Sequence, residues 1–165
     1  MSIVLEKKNI VAATTDAVVN AANEQLLAGG GVCGAIFAAA GYQDLTKACH
    51  AIGHCSTGSA VITPGFALSA RYIIHAVGPV WHGGNRGERQ LLRSCYTASC
   101  QLAEEHQLSS ITFPLISAGI FGVPIGIAWE EALQATKESN LAVHFAILDE
   151  RILAAGNEIR RQLGI

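Results

Sequence analysis

The chain has 165 residues, enough for one hydrophobic core and too few for two ordinary domains. Half of its residues are hydrophobic and only 15% are charged, against roughly 25% in typical globular chains, which excludes a disordered or solvating polymer. Its formal net charge of -2 offers no excess of Lys and Arg for neutralising a phosphate backbone, so non-specific nucleic-acid binding is not expected. The only basic concentrations, Lys7-Lys8 and Arg160-Arg161, read as solvated ends.

In chain order, the β-branched runs at residues 2–5 and 17–20 predict short strands. Three glycines, Gly29, Gly30 and Gly31, then precede an apolar helix expected over 32–40, with Gly41 as its C-terminal cap. A second helix follows over about 43–52. Strands are expected at 58–63 and 72–77, separated by the Pro64-Gly65 turn, and residues 79–87 read as a loop. From Glu88 to His106 the apolar positions Leu91, Leu92, Cys95, Ala98, Leu102 and Ala103 recur at intervals of three and four, the clearest amphipathic helix in the chain. A strand at 110–115, with Pro114 marking its end or a bulge, precedes a helix over 125–138. An apolar strand at 141–148 and an amphipathic helix at 152–163 complete the pattern. This alternation predicts a single α/β domain over 1–165, with a central sheet covered by helices on both faces.

The five cysteines, Cys33, Cys49, Cys55, Cys95 and Cys100, are odd in number and show no C-x-x-C spacing. They predict reduced thiols in a cytoplasmic protein rather than a disulfide framework or a zinc site. The N-terminus lacks a signal-peptide layout, and no apolar run approaches membrane-spanning length.

Two segments carry the functional signal. Asn20-Ala21-Ala22-Asn23 leads into Gly29-Gly30-Gly31-Val32, and Ile116-Ser117-Ala118-Gly119-Ile120-Phe121-Gly122 lies far downstream. Each falls where a strand hands over to a helix, so each gathers main-chain N–H groups beside a helix N-terminus, a means of holding phosphate without lysine. Two such loops on one sheet suggest a ligand with two phosphates. Neither G-x-x-x-x-G-K-[ST] nor an early G-x-G-x-x-G is present, which removes the P-loop and the standard dinucleotide fingerprint.

Read together, V-V-N-A-A-N, G-G-G-V-C-G-A-I, C-S-T-G-S-A at Cys55 to Ala60, Y-I-I-H-A-V-G-P at Tyr72 to Pro79 and I-T-F-P-L-I-S-A-G-I-F-G at Ile111 to Gly122 resemble the macrodomain family, closest to its MacroD-like branch and viral relatives. The resemblance implies a three-layer α/β/α sandwich with a central mixed, mostly parallel sheet. It also implies an ADP-ribose pocket. In it Asn23 would hydrogen-bond the distal ribose and Asn20 would support the loop. Gly30, Gly31, Val32 and Cys33 on one side, with Ser117, Ala118, Gly119, Ile120 and Gly122 on the other, would cradle the pyrophosphate. Phe121 would pack on the distal ribose. Asn9 and Ile10 would meet the adenine, with Leu148 as its apolar neighbour. Paired hydroxyls suit a carboxamide, which donates and accepts at once. Catalytic members of the family release ADP-ribose from acidic side chains or from O-acetyl-ADP-ribose, using water and no cofactor or metal. The candidate catalytic set is therefore Asn20, Asn23 and Cys33.

Three positions depart from the family pattern. Asn9 replaces an Asp that accepts from the adenine amino group, which implies a weaker acceptor there. Cys33 replaces an Asp that positions the attacking water, which points to a phosphate oxygen as the base. A thiolate would be repelled by pyrophosphate, so Cys33 is expected to line the pocket rather than attack. Phe37 replaces a His and is assigned to packing. His75, within an apolar strand, reads as a hydrogen-bonded core residue. His50, His54, His82, His106 and His144 show no ligand spacing, and Trp81 and Trp129 read as packing residues. The expected function is ADP-ribose binding with hydrolysis of mono-ADP-ribosyl esters. The alternative is a non-catalytic reader of ADP-ribosylated protein, favoured by Cys33 and Phe37; an RNA or poly(A) binder is disfavoured by the charge. The expected partners are ADP-ribose or an ADP-ribosylated protein, with no nucleic acid or membrane, and a monomeric state.

Overall fold

The structure, a computed structural model, describes residues 2–165. Strands β1 (Ser2–Lys7), β2 (Ala17–Ala21), β3 (Ala60–Pro64), β4 (Tyr72–Ala76), β5 (Ser110–Phe113) and β6 (Ala142–Ile147) form one sheet in the order β1-β6-β5-β2-β4-β3. All neighbours are parallel except β3, which runs antiparallel to β4. Helices α1 (Gly31–Ala40) and α2 (Tyr42–Ile52) cover one face. Helices α3 (Glu88–Glu105), α4 (Ile125–Thr136) and α5 (Glu150–Leu163) cover the other. This is the expected three-layer sandwich with a mixed, mostly parallel sheet.

Each face has its own core. Under α1 and α2 lie Val18, Ile36, Phe37, Leu45, Cys49 and Ile73. On the opposite face an aromatic group forms the centre, with ring centroids of Tyr96 and Phe113 5.0 Å apart, Phe113 and Phe145 5.6 Å, and Trp129 and Phe145 5.3 Å. Offset and edge contacts at these distances are favourable geometries for aromatic rings. Helix α5 carries a glycine in its middle because Trp129 leaves no room. A Cβ on Gly156 would lie 2.5 Å from Trp129 Cε2 and 2.9 Å from Leu5 Cδ2. Cys95 and Cys100 are buried on α3, as their helical spacing predicts.

The predicted elements are all present, with shifted ends. Strand β5 stops at Phe113 rather than at 115, because Pro114 has no N–H and, two residues on, the Ile116 amide donates to the Tyr96 hydroxyl at 2.8 Å instead. Gly58 takes a left-handed conformation (φ 88°), so β3 begins at Ala60. Helix α5 begins two residues early because Asp149 caps it, accepting from the N–H groups of Arg151 at 2.8 Å and Ile152 at 3.2 Å. A 3-10 turn at Ile10–Ala12, absent from the sequence reading, is capped by Asn9. Among the described residues, no helix is long and apolar enough to cross a membrane.

The topology positions the site. From β2 the chain passes through α1 and α2 towards the β4-β3 edge, whereas from β5 it passes through α4 to the β6-β1 side, on the opposite face. Strands β2 and β5 are neighbours. The connection therefore reverses between them, and a crevice opens above their carboxyl ends, the usual ligand position in open α/β sheets.

Candidate functional site

Both glycine-rich loops flank this crevice. The first, residues 22–30, leaves β2 and feeds α1; the second, residues 114–124, leaves β5 and feeds α4. Between them lies a cavity of about 350 Å³, lined by Asn23, Gly29, Gly30, Gly31, Val32 and Cys33 on one side. Ser117, Gly119, Ile120 and Phe121 line the other side, with Ala21, Ala22, Gly78 and the segment 114–116 at the floor.

The main chain of each loop is shaped to leave amides free. Helix α1 starts at Gly31, so Gly31, Val32 and Cys33 have no intrahelical acceptor for their N–H groups. In the second loop Ala118 donates to Leu115, Gly122 to Gly119 and Val123 to Ser117. The N–H groups of Ser117, Gly119, Ile120 and Phe121 find no acceptor among the described residues. No Lys, Arg, Asp, Glu or His lines the cavity. Any anion held there is held by amides and by the positive end of α1.

Both loops are strained and braced. Leu26 (φ 59°) and Ser117 (φ 64°) are non-glycine residues in the left-handed region, which persists only where surrounding contacts over-determine it. For the first loop those contacts include two side-chain braces. The Asn23 carboxamide donates to the Leu27 carbonyl at 2.8 Å and accepts the Leu27 N–H at 3.0 Å. The Glu24 carboxylate accepts from the Thr57 N–H at 3.0 Å and hydroxyl at 3.1 Å, tying the loop to the C-S-T-G segment. These donations hold the Glu24 carboxyl below its ordinary range. For the second loop, the Trp81 N–H donates to the Phe121 carbonyl at 2.8 Å. The Ser117 hydroxyl is buried without a partner, and Gly78 passes so close that a Cβ there would lie 2.2 Å from Ser117 Oγ.

The remaining candidate residues separate into three places. Ala118 and Gly122 shape the second turn without lining the cavity, Gly122 through its φ of 77°. Asn20 sits on β2 beneath the crevice, 1% exposed, with Nδ2 3.0 Å from His75 Nδ1. His75 continues the chain to the Thr63 hydroxyl, 3.0 Å from Nε2. With Asn20 as donor, the ring proton resides on Nε2 and Nε2–H donates to the Thr63 oxygen, whose hydroxyl donates to the Pro64 carbonyl at 3.2 Å. Burial pushes the His75 pKa down to about 4, so it is a neutral core residue. Cys33 lines the cavity and points its thiol at the Leu27 carbonyl, 3.6 Å away. Asn9, Ile10 and Leu148 lie outside the cavity, at the carboxyl ends of β1 and β6. Asn9 Oδ1 accepts from the Val11 N–H at 3.2 Å, Ile10 is buried and Leu148 is 64% exposed.

Sequence reasoning missed Gly78 and the floor segment 114–116 as lining residues. Gly78 lies beyond β4, which pairs with β2, so only the strand order brings it to the crevice.

The sequence pattern of the Macro domain family matches residues 19–135, a stretch that contains both loops and their braces. The chain belongs to the macrodomain family. A macro domain-containing protein of Chlorobaculum tepidum is 53% identical over 132 residues, covering 80% of this chain and 76% of that protein. Among solved structures, the Oceanobacillus iheyensis macrodomain with ADP is 38% identical, with a TM-score of 0.91 over 96% of this chain and 90% of that one. The Trypanosoma brucei macrodomain in complex with ADP-ribose is 35% identical, with a TM-score of 0.87 over 94% of this chain and 68% of that one. Macrodomain relatives thus bind ADP and ADP-ribose in the same fold.

Proposed function

We propose that this macrodomain binds ADP-ribose in the crevice between its two glycine-rich loops and hydrolyses mono-ADP-ribosyl esters of acidic side chains or O-acetyl-ADP-ribose. The observation that carries the reading is the set of unpartnered amides, three at the start of α1 and four in the second loop, facing one cavity with no basic side chain. Such a cradle suits a diphosphate. A phosphate oxygen accepts two or three amide hydrogens without the charge pairing that lysine or arginine would supply. The outer ribose falls to Asn23, whose carboxamide has one N–H and one lone pair left after serving Leu27, and to the face of Phe121. The adenine lies towards the ends of β1 and β6, beside Leu148.

The absence of any carboxylate or imidazole from the cavity lining shapes the chemistry. Neither Cys33 nor a histidine serves as the base. A water held between the outer ribose and the diphosphate attacks the anomeric carbon, its proton passes to a phosphate oxygen, and the substrate carboxylate leaves. The protein contributes orientation and a fixed array of dipoles. That same lining favours the second reading, a module that binds ADP-ribosylated protein and releases nothing.

One pair of measurements decides. Calorimetry with ADP-ribose should give micromolar binding, and a glutamate-linked mono-ADP-ribosylated protein should lose its label on incubation. Binding without label loss establishes the reader; no binding by a folded sample removes both readings.

A further inference from the structure

Outside the crevice, one buried carboxylate is satisfied by main-chain amides: Glu88, the first residue of α3. Its side chain is buried, and three main-chain N–H groups converge on the carboxylate: His82 at 2.8 Å and Gly84 at 2.9 Å on one oxygen, Arg86 at 2.6 Å on the other. No cation pairs with it; its charge is met by amides and by the N-terminal end of α3. These amide donations pull its pKa down to about 2, so it is ionised at any working pH. The residues it gathers form the loop after β4. That loop contains Trp81, and Trp81 donates its N–H to the carbonyl of Phe121 in the crevice. The Trp81 indole lies against Gly84, where a Cβ would come within 2.9 Å of Cη2. The carboxylate, the loop, the indole and the Phe121 carbonyl thus form one continuous brace.

We propose that Glu88 is a positioning residue for the ligand site: it shapes the loop 79–87 so that Trp81 fixes Phe121 and, with it, the free amides of Ile120 and Phe121. The inference rests on the ADP-ribose reading for what those amides hold, and on geometry alone for the brace. Without the carboxylate the second loop loses its outer anchor, while its inner bonds, Gly122 to Gly119 and Val123 to Ser117, remain. The expected consequence is a looser cradle on an intact sheet.

Glu88→Gln keeps the shape but turns one oxygen into a donor facing the Arg86 N–H. Hydrogen exchange and calorimetry with ADP-ribose, both well below the melting temperature, provide the test. Exchange at the Trp81 amide, which is protected by its bond to the Phe121 carbonyl, should become about tenfold faster while β5 and β6 stay protected, and the dissociation constant should rise about tenfold, the size of one lost charge-assisted bond. Equal acceleration across β5 and β6 would make the role one of general stability and overturn the proposal. A dissociation constant within about twofold of the parent would overturn it too, since about that much falls within the effect of an indifferent surface change. If the parent protein binds no ADP-ribose, the functional reading fails, and exchange alone then decides the role of Glu88. Should Glu88→Gln not fold, Gly84→Ala, which presses on the Trp81 indole and leaves the carboxylate in place, carries the same expectations.

Discussion

Asn23 and Leu27 grip each other through both polar atoms of the Asn23 carboxamide, which donates to the Leu27 carbonyl at 2.8 Å and accepts the Leu27 N–H at 3.0 Å. The pairing closes the first loop around Leu26 in its left-handed conformation and leaves the remaining N–H and lone pair of the carboxamide in a fixed direction. Asn23→Ala should therefore remove a ligand contact and unlock the loop together, weakening ADP-ribose binding by about tenfold to a hundredfold, the range of one or two lost hydrogen bonds. Asn23→Asp should be worse still, because it sets an anionic oxygen against the Leu27 carbonyl and beside the diphosphate. Calorimetry on the two variants ranks them; an Asp variant that binds as tightly as the parent would show that the pairing has no part in the site.

The Leu27 carbonyl also faces the Cys33 thiol at 3.6 Å. A thiol donor is weak, and its loss costs less than about 1 kcal/mol. If the base is a phosphate oxygen, Cys33→Ala should keep label release from a glutamate-linked substrate within about fivefold of the parent, that same energy expressed as a rate. A fall to background would instead make the thiol a reacting group.

How far the site was legible in the sequence depends on what each residue contacts. The two loops stand out because β-branched runs, glycines and helical spacing meet there, and each is a local pattern. Their facing one another needs the strand order, which brings β2 beside β5 although 88 residues lie between Ala21 and Ser110. Gly78 gains its importance from the approach of Ser117, a tertiary contact with no trace in the neighbouring residues. Glu88 reads as an ordinary acidic residue at a helix start, since its partners are main-chain amides that every residue carries. At Asn9 the sequence pointed to an acceptor for adenine through the family resemblance but gave no sign of the local role, Oδ1 capping the turn at Ile10–Ala12.

Two glycines test whether crowding at the site differs in kind from crowding elsewhere. A Cβ at Gly78 would meet Ser117 Oγ at 2.2 Å and Ile116 Cγ2 at 2.5 Å; one at Gly156 would meet Trp129 at 2.5 Å, on the far side of the sheet. Each alanine should destabilise by about 1–3 kcal/mol through overpacking. Only Gly78→Ala should weaken ADP-ribose binding, because the residue it displaces lines the cavity. Thermal melts and calorimetry on both variants separate the effects. Equal loss of affinity in the two would mean that binding follows overall stability rather than the shape of the second loop.

His75 gives the fold a pH dependence that is separable from its carboxylates. In the native protein the ring is buried between Asn20 and Thr63, and burial lowers its pKa from 6.5 to about 4. The unfolded chain therefore takes up a proton as pH falls through 6.5, while the folded one resists until about 4. Below 6.5 the unfolded state binds more protons, so stability falls with pH across that window by about 3 kcal/mol and levels off beneath it. The Glu88 carboxylate acts later, its stabilisation being lost as pH drops from its ordinary range, near 4.5, towards 2. His75→Gln removes the first of these and keeps a polar side chain opposite Asn20. Urea unfolding at a series of pH values between 7 and 4 should show a steep decline for the parent and a shallow one for the variant, whatever their absolute stabilities. Parallel slopes would mean that the folded protein takes up the imidazole proton as readily as the unfolded chain, so that Nδ1 donates to the Asn20 carboxamide while Nε2 still donates to Thr63.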